Sequence, residues 1–588
     1  MTTPSPHDAP AQDAMPTTKG MNYFLEDQNF QFLCESVMGS SVYERARPHL
    51  ADLGAIAGDE LDALAAVADR NPPVLRAFDE QGRRVDEVVR HPAYRRMEEI
   101  AFSRFGLAAM AHRPGVLGWP GRAPQVLKYA LSYLFAQSEF GLLCPVNMTD
   151  SCARMLGAFG SEELKARYLP RLTSTDPDAL WQGTQWMTER TGGSDVGAST
   201  TVARRGEDGQ WRVWGDKWFT SVANAELALT LARPDGAPDG TRGLAMFLVP
   251  KRLPDGTKNA WTINRLKDKL GSRSMATGEV TYAGAVGYVV GELDAGFKQM
   301  MEMVNGSRLS NAMRAAGIMR RALLESLVHA RRRVAFGRPL IELPLLRSNL
   351  LGMLLDAEAA ASVIVNGAAL LDRRDAGAAD ARALARVWTP LAKYWITLRA
   401  RDVTAEAMNV RGGNGYVEEW VNPRLLRDAY LGAIWEGSAN VVALDVQRAI
   451  AKDRGLEALA GFMAERLAHV TEPAAKPWVD LVKGNLEAVT RQAAGWAAQS
   501  AAERELAARP VADTLYHVLA GSLLLAEGQL LREQGRGYRK LLAAGLYLKR
   551  WLEPRGPAIP PFGARQIEWL DPLAAWRPID AAALADVD

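Results

Sequence analysis

The sequence predicts an α+β protein that is mainly helical, in which one β region separates helical domains. Ala- and Leu-rich runs with helical spacing fill the first part of the chain and its second half. Asp-Gly pairs punctuate short apolar runs in the middle, at 208–209, 235–236, 239–240 and 255–256, which is typical of hairpins. Because these strands do not alternate with helices, a doubly wound nucleotide-binding fold is disfavoured.

Five segments follow one another along the chain. Residues 1–20 are rich in Pro, Thr, Ser and Asp and lack an apolar core, which predicts a disordered lead and not a signal peptide. We then expect an N-terminal helical domain over 21–180 and a β domain over 181–290. Helical periodicity returns in a second bundle over 291–450. Pro-containing breaks then mark a C-terminal helical extension over 451–588.

Composition narrows the class of protein. A chain of 588 residues with 48% hydrophobic and 23% charged residues is too long for one core. The net charge of +2 provides no overall field that attracts nucleic acid or a membrane surface. Three scattered cysteines argue against a disulfide framework and favour a cytoplasmic protein. The apolar run 350–371 contains Asp356 and Glu358, so no membrane span is predicted, and the few scattered His residues predict no metal site.

The most informative pattern is a glycine-rich turn followed by a lone carboxylate. Gly412 and Gly413 allow the backbone to approach a bulky cofactor closely. About twenty residues later, Glu436 stands between Trp435 and Gly437, where apolar neighbours raise a carboxylate's basicity. Two plainer interpretations stay open: a helix C-cap for the glycines, and a carboxylate interacting with a helix N-terminus for Glu436.

Three further motifs are compatible with a planar, phosphorylated ligand. The segment 187–195 opens the β region with hydroxyl groups and a Gly-Gly turn. Trp218 offers an indole face, and Arg333 ends a run of arginines whose guanidinium groups match phosphate oxygens. Taken singly, each has a plainer interpretation: a polar turn, a β-sheet core residue and a solvated basic helix end.

Together these segments resemble the acyl-CoA dehydrogenase superfamily of flavoproteins, and within it the AidB branch, over the part of the chain before residue 451. The resemblance rests on 187–195, 215–219, 265–271, 336–341 and the opening pair, 411–416 with 434–438. It implies a helical bundle, a central β-barrel-like domain and a second helical bundle. It also implies noncovalently bound FAD in a homotetramer.

The resemblance also implies roles for single residues. It places the following near the flavin ring: Met187, Thr188, Gly193, Ser194, Trp218, Thr220, Ser438 and Asn440. It places Arg333, Phe336, Gly412 and Gly413 at the adenosine diphosphate half, in a neighbouring subunit, and makes Asn409 a further cofactor contact. The implied substrate contacts are Ser194, Arg308, Glu436 and Gly437.

The chemistry that the resemblance implies is α,β-dehydrogenation of an acyl-CoA. Glu436 removes a proton from the carbon next to the thioester while a hydride leaves the adjacent carbon for flavin N5. A related branch keeps its base on an earlier helix. That position aligns with Ser307, which cannot serve as a carboxylate base.

Two functions of different class follow. The first is an acyl-CoA dehydrogenase that passes electrons to an electron-transfer flavoprotein. The second is an AidB-like flavoprotein that has little dehydrogenase activity and binds double-stranded DNA, in the alkylation-damage response, through the basic cluster Arg532, Arg536, Arg539 and Lys540. Acidic and basic residues balance over 451–588, so a solvated helix face or a subunit contact is the alternative for this cluster.

Overall fold

The computed structural model describes residues 15–556 and 558–587. The predicted disordered lead therefore lies mostly outside the described residues, but its end does not. Thr18 is fully buried and its hydroxyl donates to the Glu325 carboxylate at 2.6 Å. The Pro16 carbonyl accepts a bond from Arg411 at 3.3 Å. The prediction of disorder is wrong for residues 15–20, because Glu325 and Arg411, which are distant in sequence, form hydrogen bonds with this segment.

The N-terminal domain is built mainly from helices. Its helices are α1 (Gln28–Met38), α2 (Ser40–Ile56), α3 (Asp62–Arg70), α4 (Pro92–Glu98), α5 (Gln125–Ala136), α6 (Leu143–Phe159) and α7 (Glu162–Leu172). Side-chain caps begin three of them, since Asp27 accepts from the Phe30 backbone N–H, His91 from that of Ala93 and Ser161 from that of Leu164. Helix α5 is buried along its whole length, so it forms the centre of this domain.

A β-hairpin interrupts these helices and corrects the all-helical expectation for 21–180. Its strands are β1 (Val74–Phe78) and β2 (Arg84–Val89), which pair antiparallel. The Asp79 carboxylate accepts from two backbone N–H groups of the turn, and Gly82 takes a positive φ of 76°. Arg84 donates to the Ile263 carbonyl at 2.7 Å, which joins the hairpin to the central sheet.

The central domain is a seven-stranded sheet. Its strands are β3 (Gly183–Trp186), β4 (Val202–Arg205), β5 (Trp211–Ser221), β6 (Leu227–Pro234), β7 (Ala245–Pro250), β8 (Trp261–Leu266) and β9 (Thr277–Val289). Six of the strands follow the order β3-β6-β4-β5-β9-β7, β8 pairs with β9 off this path, and β6 also pairs with β7. That extra pairing closes five strands into a ring, with Trp186, Trp261 and Tyr282 packed in its core.

The second helical bundle begins with the long helix α8 (Gly296–Arg332) and a short hairpin, β10 (Val334–Ala335) and β11 (Arg338–Pro339). It continues with α9 (Pro344–Asp375), α10 (Ala381–Arg411), α11 (Gly413–Tyr416), α12 (Asn422–Gly432) and α13 (Ala439–Lys452). Among the described residues, α9 alone is long and apolar enough to cross a membrane, and 94% of its most apolar stretch is buried inside the protein. It packs against α8 and α10 as a core helix.

The C-terminal region is also helical. Its helices are α14 (Gly455–Ala468), α15 (Lys476–Ala494), α16 (Ala501–Leu506), α17 (Ala508–Glu533), α18 (Arg539–Leu552), α19 (Ala564–Ile567) and α20 (Leu570–Ala574). Helix α17 packs on α9, α10 and α13, and one continuous hydrophobic core runs from the N-terminal helices into this region. The region is therefore built into the bundle. The mainly helical α+β fold that the sequence predicts is confirmed.

Candidate active site

Glu436 lies in a strained loop between α12 and α13. Its φ of 59° is in the left-handed region that non-glycine residues rarely adopt, and Gly437 follows with a φ of 101°. Two buried cations hold the loop by its carbonyls. Arg308 Nε donates to the Glu436 oxygen at 3.0 Å, and Lys393 Nζ donates to the Gly437 oxygen. These bonds from α8 and α10 fix the backbone that carries the carboxylate.

A buried carboxylate on α13 fixes Arg308 in turn. Asp445 accepts from Arg308 at 2.6 Å and from Arg386 at 2.7 and 3.0 Å. Burial opposes ionisation of Asp445, but the hydrogen bonds and charges of Arg386 and Arg308 outweigh it and hold the pKa of Asp445 below its usual range. The structure therefore gives Arg308, predicted as a substrate contact, the role of holding the Glu436 loop.

The Glu436 carboxyl has the electrostatics of a base. Burial raises the pKa of Glu436, and the nearby charges of Arg314, Arg308 and Lys393 oppose that rise. Lys393 is fully buried on α10, and burial together with Arg308 lowers the pKa of Lys393 to about 7. A carboxylate that is poorly solvated yet near cations stays ionisable and is a stronger base than one in water.

An arginine and two aromatic rings form one wall beside Glu436. The rings of Phe140 and Trp435 are stacked with centroids 5.7 Å apart. The guanidinium of Arg314 lies 5.1 Å from the first centroid and 4.7 Å from the second. Burial lowers the pKa of Arg314, and the Cys144 thiol and Glu436 partly offset this effect. The wall therefore brings a buried cation to the base.

The predicted flavin contacts from the β domain follow β3 in the chain or lie in the second half of β5. Trp218 donates its backbone N–H to the Thr188 carbonyl at 2.8 Å, and the Lys267 ammonium lies 3.4 Å from the Trp218 ring centroid. Thr220 is fully buried, and its hydroxyl has no hydrogen-bond partner among the described residues, so it can bind a cofactor. Met187 is half-buried, while Gly193 and Ser194 are exposed on the turn that follows.

A second group of predicted cofactor residues lies at the ends of α8 and α10. Arg333 is exposed, and Phe336 is 90% exposed with a φ of 53°. Gly412 takes a φ of 66°, and no atom lies within 4 Å of a Cβ built on either Gly412 or Gly413. Asn409 is exposed beside them. These residues therefore present an open surface.

Ser438 and Asn440 stand exposed at the start of α13, next to the Glu436 loop. Ser307, at the rival base position, is fully buried and accepts a bond from Asn147 at 3.1 Å. The serine is thus a structural hydrogen-bond partner on α8. Of the two positions considered for a base, only 436 carries a carboxylate.

The predicted basic cluster of the C-terminal region is not a surface patch. Arg539 is buried and forms an ion pair with Glu358, and Lys540 is fully buried and pairs with Glu527 at 2.6 Å. Arg532 pairs with Glu472 at 2.9 Å, which leaves Arg536, 42% exposed, as the most accessible member. The prediction of Arg539 and Lys540 as DNA contacts is wrong, because buried carboxylates from α9 and α17 neutralise them.

Sequence reasoning missed three groups that shape the site: Arg314, Lys393 and Asp445. Each lies inside a long helix whose pattern predicts only a helix. The one available signal was a charged residue at a position that helical periodicity places in the core.

Comparison with known proteins agrees with this architecture. The model of the AidB N-terminal domain matches residues 13–179, that of the acyl-CoA dehydrogenase middle domain matches 184–285, and that of the acyl-CoA dehydrogenase C-terminal domain matches 294–451. A putative acyl-CoA dehydrogenase, AidB, from Escherichia coli K12 is 38% identical over 406 residues, which cover 67% of this chain and 72% of that protein.

Two further comparisons extend to the C-terminal region. Acyl-CoA dehydrogenase family member 11 from Caenorhabditis elegans is 31% identical over 520 residues, covering 86% of this chain and 84% of that protein. The crystal structure of Caenorhabditis elegans ACDH-11 in complex with C11-CoA superposes with a TM-score of 0.85 at 27% identity, covering 97% of this chain and 95% of that one. The chain belongs to the acyl-CoA dehydrogenase family, with an N-terminal domain of the AidB type.

Proposed function

We propose that this protein is an FAD-dependent acyl-CoA dehydrogenase that introduces an α,β double bond into an acyl-CoA. One observation carries the proposal: Glu436 is a half-buried carboxylate of raised pKa, and Arg308 and Lys393 hold its backbone in a conformation that costs energy. Strain at one residue, fixed by buried charges from two helices, is typical of catalytic positions.

The work of Glu436 is to accept the proton of the carbon next to the thioester. That C–H group is a very weak acid, so a base in water could not remove its proton at a useful rate. Burial strengthens the base, and a donor must stabilise the charge that develops on the thioester oxygen. We assign this donor to the backbone N–H of Glu436, whose position the Arg308 and Lys393 bonds fix. FAD, when bound, supplies the acceptor for the hydride lost from the adjacent carbon.

The residues present fit FAD. The unpartnered hydroxyl of Thr220 is a ready hydrogen-bond donor, and the Trp218 face lies beside it on β5. We assign to the flavin ring Met187, Thr188, Gly193, Ser194, Trp218, Thr220, Ser438 and Asn440. We assign to the adenosine diphosphate half Arg333, Phe336, Asn409, Gly412 and Gly413 of a neighbouring subunit, in a cytoplasmic homotetramer that reduces an electron-transfer flavoprotein.

The exposed apolar side chains near that second group support the subunit contact. Phe336, Leu345 and Tyr416 are 90%, 79% and 80% exposed, which is unusual for large apolar groups unless a partner covers them. An acyl-CoA substrate is supported by the related Caenorhabditis elegans protein, which was solved in complex with C11-CoA. The DNA-binding alternative lacks support of this kind, because Arg539 and Lys540 are buried in ion pairs.

Anaerobic titration of the purified flavoprotein with acyl-CoAs tests the proposal. We expect the oxidised flavin absorbance to disappear with a suitable acyl-CoA. Glu436→Gln should retain flavin and bind the same acyl-CoA but lose at least about 100-fold in reduction rate, because general-base catalysis contributes about 10²–10⁴-fold. Glu302→Gln, which changes a partly exposed carboxylate elsewhere, is the matched control and should reduce normally. Flavin that stays oxidised across a broad acyl-CoA panel would contradict dehydrogenase function.

A further inference from the structure

Three cations near the Glu436 carboxyl oppose the rise in its pKa that burial causes. In order of decreasing effect they are Arg314, Arg308 and Lys393. Arg308 pairs with Asp445 at 2.6 Å, so a buried carboxylate already neutralises much of its charge. Burial together with the charge of Arg308 lowers the pKa of Lys393 to about 7, so a large part of the Lys393 population is neutral at neutral pH.

Arg314 differs from the other two cations because it has no structural counter-ion and stays charged. Its side chain is 1% exposed and its Nε donates to the Ser310 carbonyl at 3.3 Å, but its Nη1 has no hydrogen-bond acceptor. Across residues 15–556 and 558–587 it takes part in no salt bridge, and Glu436 is the carboxylate that acts on it. Burial lowers the pKa of Arg314, yet a guanidinium keeps its proton at any pH that a folded protein tolerates.

Aromatic packing holds Arg314 beside the base. Its guanidinium lies 5.1 Å from the Phe140 ring centroid and 4.7 Å from that of Trp435, and the two rings are stacked. Trp435 immediately precedes Glu436, so one of these rings belongs to the strained loop that carries the carboxyl. Contacts with ring faces hold a guanidinium without neutralising its charge. The positive charge of Arg314 therefore stays available to Glu436.

The other titratable groups around Arg314 and Glu436 do not supply a comparable charge. Tyr129 on α5 and Cys144 on α6 both interact with Arg314, and burial raises the pKa of both, so both are neutral at neutral pH. Cys144 also interacts with Lys269, whose own partners include Asp428 and Glu139. Removal of the Arg314 charge would therefore leave no permanent cation that acts on Glu436 without a counter-ion of its own.

We infer that Arg314 is a positioning residue for the base: its charge keeps Glu436 ionised until the substrate arrives. This inference rests on the proposed function and assigns a residue that the proton transfer requires. A half-buried carboxyl between apolar neighbours binds a proton more tightly than one in water, and a protonated carboxyl cannot accept the α-proton. Arg314 lowers the proton affinity of Glu436 and thereby increases the fraction of molecules in which the base is ionised.

Infrared spectroscopy of the flavoprotein over a range of pH tests the inference without any substrate, because the band of a protonated carboxyl reports on Glu436 directly. The matching Glu436→Gln variant of each protein is the reference that identifies this band. We expect Arg314→Gln to raise the midpoint by about one pH unit or more, which is about a tenfold gain in proton affinity, since a nearby opposite charge lowers a carboxyl pKa by about 1–3 units. Arg314→Lys, which keeps the charge, should shift the midpoint less. Arg382→Gln, whose side chain is 82% exposed, is the control and should leave it unchanged.

Flavin reduction over the same range of pH gives a second measurement, with the acyl-CoA that reduces the wild type fastest. In Arg314→Gln we expect the rate to fall about tenfold at a pH below both midpoints, because the ionised fraction of Glu436 falls by that factor. The rate should recover as the pH rises through the new midpoint. A side chain that only fills space would lower the rate equally at every pH, and that result overturns the inference.

The outcomes separate the inference from the proposed function. An unchanged infrared midpoint in Arg314→Gln overturns the inference and leaves dehydrogenation by Glu436 intact. A raised midpoint, in a protein whose flavin no acyl-CoA reduces, overturns the proposed function and leaves the effect of Arg314 on Glu436 in place. Arg314→Met covers the case in which Arg314→Gln does not fold, because its flexible apolar side chain packs well against aromatic rings. It removes the same charge and should raise the midpoint equally, and an unchanged midpoint there also counts against the inference.

Discussion

Asp445 links the stability of the protein to the geometry of its base. The Asp445 carboxylate neutralises two arginines, at 2.6 Å for Arg308 and 2.7 Å for Arg386. Replacing it by Asn leaves the buried Arg308 without a counter-ion, for which loss of one partner costs about 3–5 kcal/mol. Asn keeps one acceptor oxygen, so we expect the lower end, about 3 kcal/mol. This corresponds to a change of about 100-fold or more in the unfolding equilibrium, at about 1.4 kcal/mol per tenfold.

Urea unfolding of Asp445→Asn at neutral pH measures this cost. Asp453→Asn is the matched control, because Asp453 binds the same Arg386 at 3.0 Å but is 43% exposed. An exposed pair contributes about 0–1 kcal/mol, so this control should unfold nearly as the wild type does. Flavin reduction should also slow in Asp445→Asn, by about 100-fold for a 1 Å displacement of the Glu436 loop. Equal stability of the two variants would refute the reasoning.

The pH dependence of the same comparison has a definite sign. The pKa of Asp445 is below its usual range in the folded protein, because Arg386 and Arg308 outweigh the effect of burial. Its contribution is therefore complete above the unfolded pKa of about 3.9 and is lost as the pH falls through the folded pKa. We expect the stability gap between wild type and Asp445→Asn to be constant from pH 6 to 8 and to close in acid. A gap that widens in acid contradicts the assignment.

Three further results are expected. Thr220→Val should weaken flavin binding about fivefold to tenfold, because the buried hydroxyl loses its one ligand bond of about 1 kcal/mol; fluorescence of released flavin measures this, and unchanged affinity removes Thr220 from the site. Arg539→Met should destabilise the protein by about 3–5 kcal/mol by stranding the buried Glu358, whereas Arg536→Met should change stability by less than about 1 kcal/mol in the same urea assay. The flavin reduction rate should rise with pH through the pKa of Glu436, which burial raises above that of an ordinary carboxyl, and a midpoint in the ordinary range is the contrary outcome.

The sequence predicts most of the element types because they depend on local patterns. Asp-Gly turns and short apolar runs mark the central strands, and helical periodicity marks α8 and α9. The hairpin of β1 and β2 was missed although its turn residues, 79–82, are typical of one. No residue of β1 is buried, and in β2 only Asp86 and Val88 are, so the strands lack an apolar run that would distinguish them from a loop.

The residues of the site also differ in whether local sequence reveals their role. Glu436 stands out because its neighbours in sequence, Trp435 and Gly437, are also its environment. The roles of Arg314 and Lys393 depend on groups more than 40 positions away, and no local pattern carries that information. Arg539 and Lys540 were misassigned for the same reason, since a run of cations looks exposed until the distant carboxylates that neutralise it are known.

Hydrogen bonds between distant parts of the chain determine how late in its synthesis the native contacts can form. Thr18 bonds to a residue 307 positions later, and Lys540 donates to Asn29 across 511 positions. The first helices emerge from the ribosome long before these partners exist. The polar groups of the N-terminal domain that bond to α18 therefore stay hydrated until α18 has been synthesised. A chain that ends after α13 would leave Asn29 without Lys540 and Glu358 without Arg539. Translation must therefore approach completion before the segment made first acquires all of its native bonds.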